Sequence, residues 1–536
     1  MRASTPRFRR RLGFASAFAG VVALVGCQAI LGIDPDSRYD AVASGDDATF
    51  HDAVASEDAS RLYAEAGAAE GSVVLDAGSM CHTNVECAAL VHTACEQAIC
   101  GDAGTCEVSS RDGKGCGGDG TCRGYACIGS ESTIAASNDS TCITTLDGFV
   151  WCWGADPSGI LGDQGSAARS TPYLVSHVGQ EMPGAREVSL GNAHACAILN
   201  DAYSTIACWG SNQYGQSTAS DAGAPLVGPS QIYSLPPADE LAAGFGQTCI
   251  ASDGNVWCWG DNEEGEIGGG PGLPSVVRTP VLALVGPSSG LSGAWKTVCV
   301  SSLGAIWCWG DSTWGQIGEA VADASTSTPT QIADLTNGLD HSTQPTFVST
   351  SWGNICVGLS PSGFVECLGN DRYGQLGGGA VLEEAGVGGS GDIPGTKPST
   401  VVVYSQPDDD YEVLGGIQAV YGGTGTHFCA QLRNTSEIYC WGHDEAGEIG
   451  GDPAGSYSSH ARLTLQAGTP ALFALGNAHA CELVYDFDGW TIWCLGDGSK
   501  GQLGDGLPIA PHSMNQPRPV TFPTTPGGLD ALRASQ

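Results

Sequence analysis

Seven times along the chain a Trp-Gly or Leu-Gly pair is followed, five residues after its glycine, by a second glycine, usually within GQ or GE. The copies are WGADPSGILG (153 to 162), WGSNQYGQST (209 to 218), WGDNEEGEIG (259 to 268), WGDSTWGQIG (309 to 318), LGNDRYGQLG (368 to 377), WGHDEAGEIG (441 to 450) and LGDGSKGQLG (495 to 504). From one pair to the next the step is 56, 50, 50, 59, 73 and 54 residues, so the turn is fixed while the connections vary. Each unit reads as a Gly, an apolar strand ending near a first Cys, a hairpin, a strand ending in Cys-Trp-Gly and a tight turn. One small sheet of this kind cannot bury both faces, and seven of them stacked in a ring can, with no free sheet edge left over. The pattern predicts an all-β chain, a seven-bladed β-propeller over residues 128–526 with a short tail at 527–536.

The cysteines support the same division. Of 23, 14 fall as one pair per unit: Cys142 and Cys152, Cys196 and Cys208, Cys249 and Cys258, Cys299 and Cys308, Cys356 and Cys367, Cys429 and Cys440, Cys481 and Cys494. Between Cys249 and Cys258 lies IASDGNVW, with Asp253-Gly254 at its midpoint, a dipeptide suited to a two-residue hairpin turn. Folding there sets the two cysteines opposite each other in a non-hydrogen-bonded pair, about 4.5 Å apart at Cα, at the short end of what a disulfide tolerates. A cross-strand disulfide in each blade is therefore expected, and a reactive thiol is not, since no nucleophile is needed seven times. Eight further cysteines, Cys81, Cys87, Cys95, Cys100, Cys106, Cys116, Cys122 and Cys127, crowd into residues 81–127. So short a segment with few large apolar side chains needs disulfides to hold it, and its spacings do not suit zinc. Eight cysteines allow 105 pairings, which the sequence does not resolve.

The stretches GNAHACAI…CWGSNQYGQS (191 to 217) and GNAHACEL…CLGDGSKGQLG (476 to 504) resemble the repeats of the regulator of chromosome condensation family, over roughly residues 130 to 525. Prolines before a strand, frequent in that family, stand at Pro172, Pro280, Pro329, Pro398 and Pro519. The resemblance implies a seven-bladed propeller, a rigid disc that presents loops. It does not carry over the nucleotide-exchange activity or chromatin binding of the family's founder, because a shared fold does not fix function. As PRPVTF (517 to 522) follows the last GQLG with no hairpin after it, that strand is expected to return to the first blade and close the ring.

No constellation points to catalysis or to a cofactor. The repeated Trp is replaced by Leu368 and Leu495 in two units, as core packing permits and a stacking site does not. His194, His427 and His479 stand two residues before a first Cys, at one level near the axis, where strand-end hydrogen bonding explains them better than zinc. DNEEGE lacks the spacing of a calcium loop, and SDGNVW (252 to 257) lacks the intervening residue of a sialidase box.

The N-terminal region places the chain outside the cytoplasm. Residues 1–26 carry five Arg and no acid before an apolar run of 14 residues from Leu12 to Val25, which is a secretory signal too short to span a membrane. LVGC, ending at Cys27, resembles a bacterial lipobox, which implies lipidation of Cys27; Gln28 after it favours the outer membrane or cell surface. Residues 27–80 then read as a disordered acidic tether, with 11 acids against two Arg after the lipidated cysteine. A formal charge of −37 disfavours nucleic acid and anionic membrane surfaces as partners, leaving the lipid as the only membrane attachment. The expectation is a monomeric, non-enzymatic envelope lipoprotein that binds a protein, with a glycan as the alternative ligand and glycoside hydrolysis a more remote one. The longest step in the repeats carries two loops, 377 to 397 and 405 to 416, and Asp408, Asp409, Asp410 and Tyr411 of the second are the candidate binding loop.

Overall fold

The computed structural model describes residues 95–523, apart from 101–105, 112, 117–118, 124–125, 164, 166, 176–183, 219–222, 319–324, 333–334, 336–343, 380–393, 406–409, 434, 436, 451–456 and 464–468. The signal 1–26, Cys27, the linker to residue 80, Cys81, Cys87, Asp408, Asp409 and the tail 527–536 lie outside the described residues.

Seven antiparallel sheets follow one another along the chain, over 134–174, 185–232, 240–284, 288–331, 344–400, 417–463 and 469–519. Each is a blade of four consecutive strands, and among the described residues there is no helix. The third blade is representative: Glu240–Ala243, Gln247–Ser252, Asn255–Asp261 and Val276–Leu284. Its central hairpin turns at Asp253 (φ +48°) and Gly254 (φ +77°), between the paired Ser252 and Asn255. Both turn residues sit in the left-handed region, as the two-residue turn matched to strand twist requires. Leu303 and Gly304 repeat this in the fourth blade, with φ of +52° and +76°.

This register places Cys249 opposite Cys258, and the same pairing recurs in all seven blades with Cα atoms 4.0 to 4.2 Å apart and a disulfide across each. The first Cys of each pair lies within the second strand rather than at its end: Cys196 is central in His194–Leu199.

Stability comes from between the blades. Seven apolar clusters each draw on two neighbouring blades, the last uniting blade seven with blade one. The repeated Trp is wholly buried in these clusters, and its indole N–H donates to a backbone carbonyl of the preceding blade. Trp153 reaches Gln502 (2.9 Å), Trp209 reaches Ile160 (2.6 Å), Trp259 reaches Gln216 (2.9 Å), Trp309 reaches Glu266 (2.8 Å) and Trp441 reaches Gln375 (2.9 Å). Leu368 and Leu495 fill the same place by packing alone. At the axis the innermost strand of each blade is an edge, and in blades three to five side chains of the preceding blade take up its free N–H groups. Glu187 accepts from Leu241, Ser189 from Ala243, Glu240 from Gly290 and Leu291, and Ser292 from Thr350. Such side-chain capping protects an edge that would otherwise offer itself to another chain.

Two expectations need correction. Ser513–Pro519 pairs with Gly489–Asp497 inside blade seven and does not add a strand to blade one. Closure is instead by side chains: Val520 and Phe522, just past that strand, pack with Trp151 and Trp153 of blade one, with Phe522 edge-on to both rings. Blade one already has its four strands, and it meets blade seven through apolar contact and single hydrogen bonds such as that from the Trp153 indole to the Gln502 carbonyl. Second, 405 to 416 is not wholly loop. Asp410–Val413 is a strand that pairs with Val402–Ser405, and the hairpin joins the outer strand of blade six through Val403 and Ala461. The two-residue alternation of Tyr411 and Val413 with acids is the physical reason.

The Cys-rich segment docks on the ring. It holds disulfides Cys95–Cys122 and Cys116–Cys127, and Cys100, opposite Cys106 in the pairing of Glu96–Cys100 with Cys106–Ser110, is also disulfide-bonded. Arg123 donates to the carbonyl of Trp490 (2.9 Å), the Trp490 indole donates to Asp119 (3.1 Å), and Ala126 and Ile128 enter the cluster joining blades seven and one. Trp490 begins the third strand of its blade, so this contact lies on the face formed by the central hairpin turns.

Candidate functional site

On the opposite face each blade presents two turns: the one between its first and second strands, near the axis, and the fixed glycine turn after its third strand. The fixed turn is closed the same way in blade after blade. Asp156, Asn212, Asn262, Asp371 and Asp444 each accept the N–H five residues on, and Ser312 does so through its hydroxyl. The Gln or Glu after the second glycine accepts the N–H two residues before it, as in Gln216 to Tyr214, Gln316 to Trp314 and Gln375 to Tyr373. The constant spacing is thus the geometry of a turn whose backbone N–H groups are satisfied locally.

What varies is the side chain this scaffold holds up. Four residues before the first Cys stand Asn138, Asn192, Phe245, Trp295, Trp352, Gly425 and Asn477, and just before the second glycine stand Tyr214, Trp314 and Tyr373 among smaller or charged residues. The large aromatics therefore gather over blades two to five. Phe245 and Trp295 have ring centroids 4.6 Å apart, Trp295 and Trp352 6.1 Å, and Trp352 and Trp314 5.6 Å. Tyr373 meets His443 of blade six edge-on at 4.8 Å. These rings are half-buried, so their faces remain partly open. Trp295, Trp352, Tyr373 and His443 line a cleft of about 780 Å³ together with Asp139, Glu445, Asp497 and Lys500.

The charges around the arc are mostly acidic. Lys296 lies 3.4 Å from Asp261, 3.1 Å from Glu263 and 3.5 Å from Glu266, three carboxylates to one ammonium. Burial works against its charge, but Glu266 and its neighbours outweigh this and hold the ammonium above its ordinary range. Burial, with Asp261 beside it, pushes the Glu266 carboxyl up to about 7. Burial likewise opposes a charged His443, while the hydrogen-bonded Glu448 carboxylate overrides it and raises that imidazole. Lys500 is held by Asp139 at 2.5 Å.

The three sequence-predicted histidines are fully buried between blades. His479 Nε2 meets the Thr141 hydroxyl at 2.8 Å and His194 Nε2 meets Thr248 at 3.0 Å, each in the next blade. His427 has no such partner, because Ala480 occupies the equivalent place. Burial pushes all three imidazoles down to about 4, and the structure does not bring them together as a ligand set. The sulfurs of Cys95, Cys116 and Cys127 lie within 4.8 Å of one another, yet all are disulfide sulfurs with no thiolate to offer a metal. Asp410 and Tyr411 stand at the outer edge of blade six, away from the arc, and Tyr411 is exposed. The arc itself was missed in the sequence; its signal was Trp295 and Trp352 at one repeat position, obscured there by asparagines and glycine.

Residues 185–216, the inner strands and fixed turn of blade two, match the model of the regulator of chromosome condensation (RCC1) repeat. Among solved structures the chain is similar to Prp20p from Saccharomyces cerevisiae, at 17% identity over 73% of this chain and 88% of that one with a TM-score of 0.57. It is also similar to human WBSCR16, at 18% identity over 66% and 87%, TM-score 0.54. The chain carries a regulator of chromosome condensation repeat and folds as a seven-bladed propeller of that architecture.

Proposed function

We propose that the protein is a non-enzymatic binding scaffold of the cell envelope whose aromatic face holds a partner protein. The observation that carries this is the arc of Phe245, Trp295, Trp352, Trp314 and Tyr373, of which Trp295, Trp352 and Tyr373 line an open cleft, on turns fixed by local hydrogen bonds. Tryptophan and tyrosine on a rigid support supply large contact area with little conformational entropy to lose, and they dominate the energetics of protein interfaces. The yeast protein of the same fold is described by its binding to Gsp1p and histones, which supports a protein as the ligand class. The described part of the Cys-rich segment docks on the other face and leaves the arc unobstructed. A partly open indole face also suits a sugar ring, and a glycan is the second reading.

The test is retention of envelope proteins on the immobilised wild-type chain and on a Trp295→Ala, Trp352→Ala variant. The reading expects retained species that the variant loses while its melting temperature changes little; equal retention would move the site elsewhere. A neutral-glycan array run alongside separates the two ligand classes.

A further inference from the structure

We infer that the cleft beside the aromatic arc recognises a lysine- or arginine-rich segment of a polypeptide. This rests on the reading of that face as the binding surface and names what it binds. Three tryptophans form an angled wall: Trp352 lies between Trp295, inclined to it by 68°, and Trp314, inclined by 42°. Rings presented at such angles offer faces and edges from several directions, and a cation is drawn to the electron-rich faces. The protein's own cations already use neighbouring rings in this way. Lys296 Nζ stands 5.8 Å from the Phe245 centroid, and the Arg372 guanidinium 5.4 Å from that of Tyr373.

Charge points the same way. Asp139, Glu445 and Asp497 line the cleft against Lys500, which Asp139 already holds, and the imidazole of His443, which stands 3.6 Å from Glu445. Lys296, at the edge of the arc, faces three carboxylates. Acidic groups therefore outnumber cations around the rings, and Glu445 is 80% exposed in its side chain. An anionic ligand, or a second copy of a chain with formal charge −37, would be repelled. The carboxylates come from blades one, six and seven and the tryptophans from four and five, so the positions that favour a cation are spread across the face. A chain with several spaced cations can reach them together, while a single small amine cannot. A volume of about 780 Å³ admits more than one side chain.

The test titrates the folded protein with a fluorescent ten-residue peptide alternating Lys or Arg with Gly and Ser, its Glu counterpart, spermidine and a neutral oligosaccharide. The variants are Trp352→Leu, which keeps apolar bulk and removes the ring, Glu445→Gln, and Leu303→Ala on the opposite face as control. The expected result is binding of the basic peptide only, weakened about tenfold by Trp352→Leu, less by Glu445→Gln and not by Leu303→Ala, and falling with added salt. Basic-peptide binding that ignores Trp352→Leu overturns the inference. Spermidine bound as tightly as the peptide replaces the polypeptide with a small amine. Oligosaccharide binding lost in Trp352→Leu overturns the basic partner but leaves the face as the binding surface. If no probe binds and envelope retention is also unchanged in the tryptophan variants, the face itself is refuted.

Discussion

Replacing Ala480 with Thr should stabilise the ring. In two of the three places where a histidine lies between blades, the residue before the next blade's first Cys is a threonine whose hydroxyl meets Nε2: Thr141 for His479 and Thr248 for His194. Before Cys481 that residue is Ala480, and both ring nitrogens of His427 are left without a hydrogen bond inside the protein. A buried polar group without a partner costs about 1 to 3 kcal/mol, and a hydrogen bond made to it recovers most of that. Overpacking could cost as much. It is not expected here, because Thr141 and Thr248 are fully buried at the equivalent position and threonine suits a strand better than alanine. The net expectation is a gain of about 1 to 2 kcal/mol. The assay is urea unfolding, read as a higher midpoint with an unchanged slope. A His427→Leu background, in which the hydroxyl has nothing to meet, should abolish the gain. A loss of stability from Ala480→Thr, or an equal gain in both backgrounds, would refute the reasoning.

Trp309→Phe keeps most of the packing but loses the 2.8 Å bond to the Glu266 carbonyl, and should lower unfolding stability by about 1 to 2 kcal/mol, whereas Trp309→Ala should cost about 3 to 5. Burial pushes the Glu366 carboxyl up to about 7, so the folded state holds its proton where the unfolded chain, near 4.5, has released it. Its contribution is full below pH 4.5 and is lost as pH rises through 7, so Glu366→Gln should stabilise at pH 8 by about 1 to 2 kcal/mol and by less at pH 5, a difference that denaturant midpoints at the two pH values would show. Metabolic labelling with a palmitate analogue should tag the wild-type chain and not Cys27→Ser; equal labelling would remove the lipid anchor from the account.

The parts of this fold that repeat could be read from the chain, and the parts that join one repeat to another could not. Asp253-Gly254 announces its own turn, and the opposition of Cys249 and Cys258 follows by counting outward from it. The fixed glycine spacing reflects bonds such as Asn262 to Ile267, which close within five residues. By contrast, the indole of Trp309 bonds across to another blade, and His427 differs from His479 only through a residue 53 positions further on. The end of the chain shows the same limit: PRPVTF has strand character whichever blade it joins, and only tertiary packing sends its backbone to blade seven and its Val520 and Phe522 to blade one. The arc was obscured for a further reason. Repeat analysis rewards sameness, while Phe245, Trp295 and Trp352 occupy a position filled elsewhere by asparagine or glycine, where only their neighbours in space make them a surface.

The most direct measurement of the central claim is photo-crosslinking in the intact host, with benzoylphenylalanine at position 352 in the arc or at position 303 on the opposite face. A partner held by the aromatic face predicts a discrete adduct from position 352 and none from 303. Adducts from 303 alone would place the partner on the face that carries the Cys-rich segment and contradict the account.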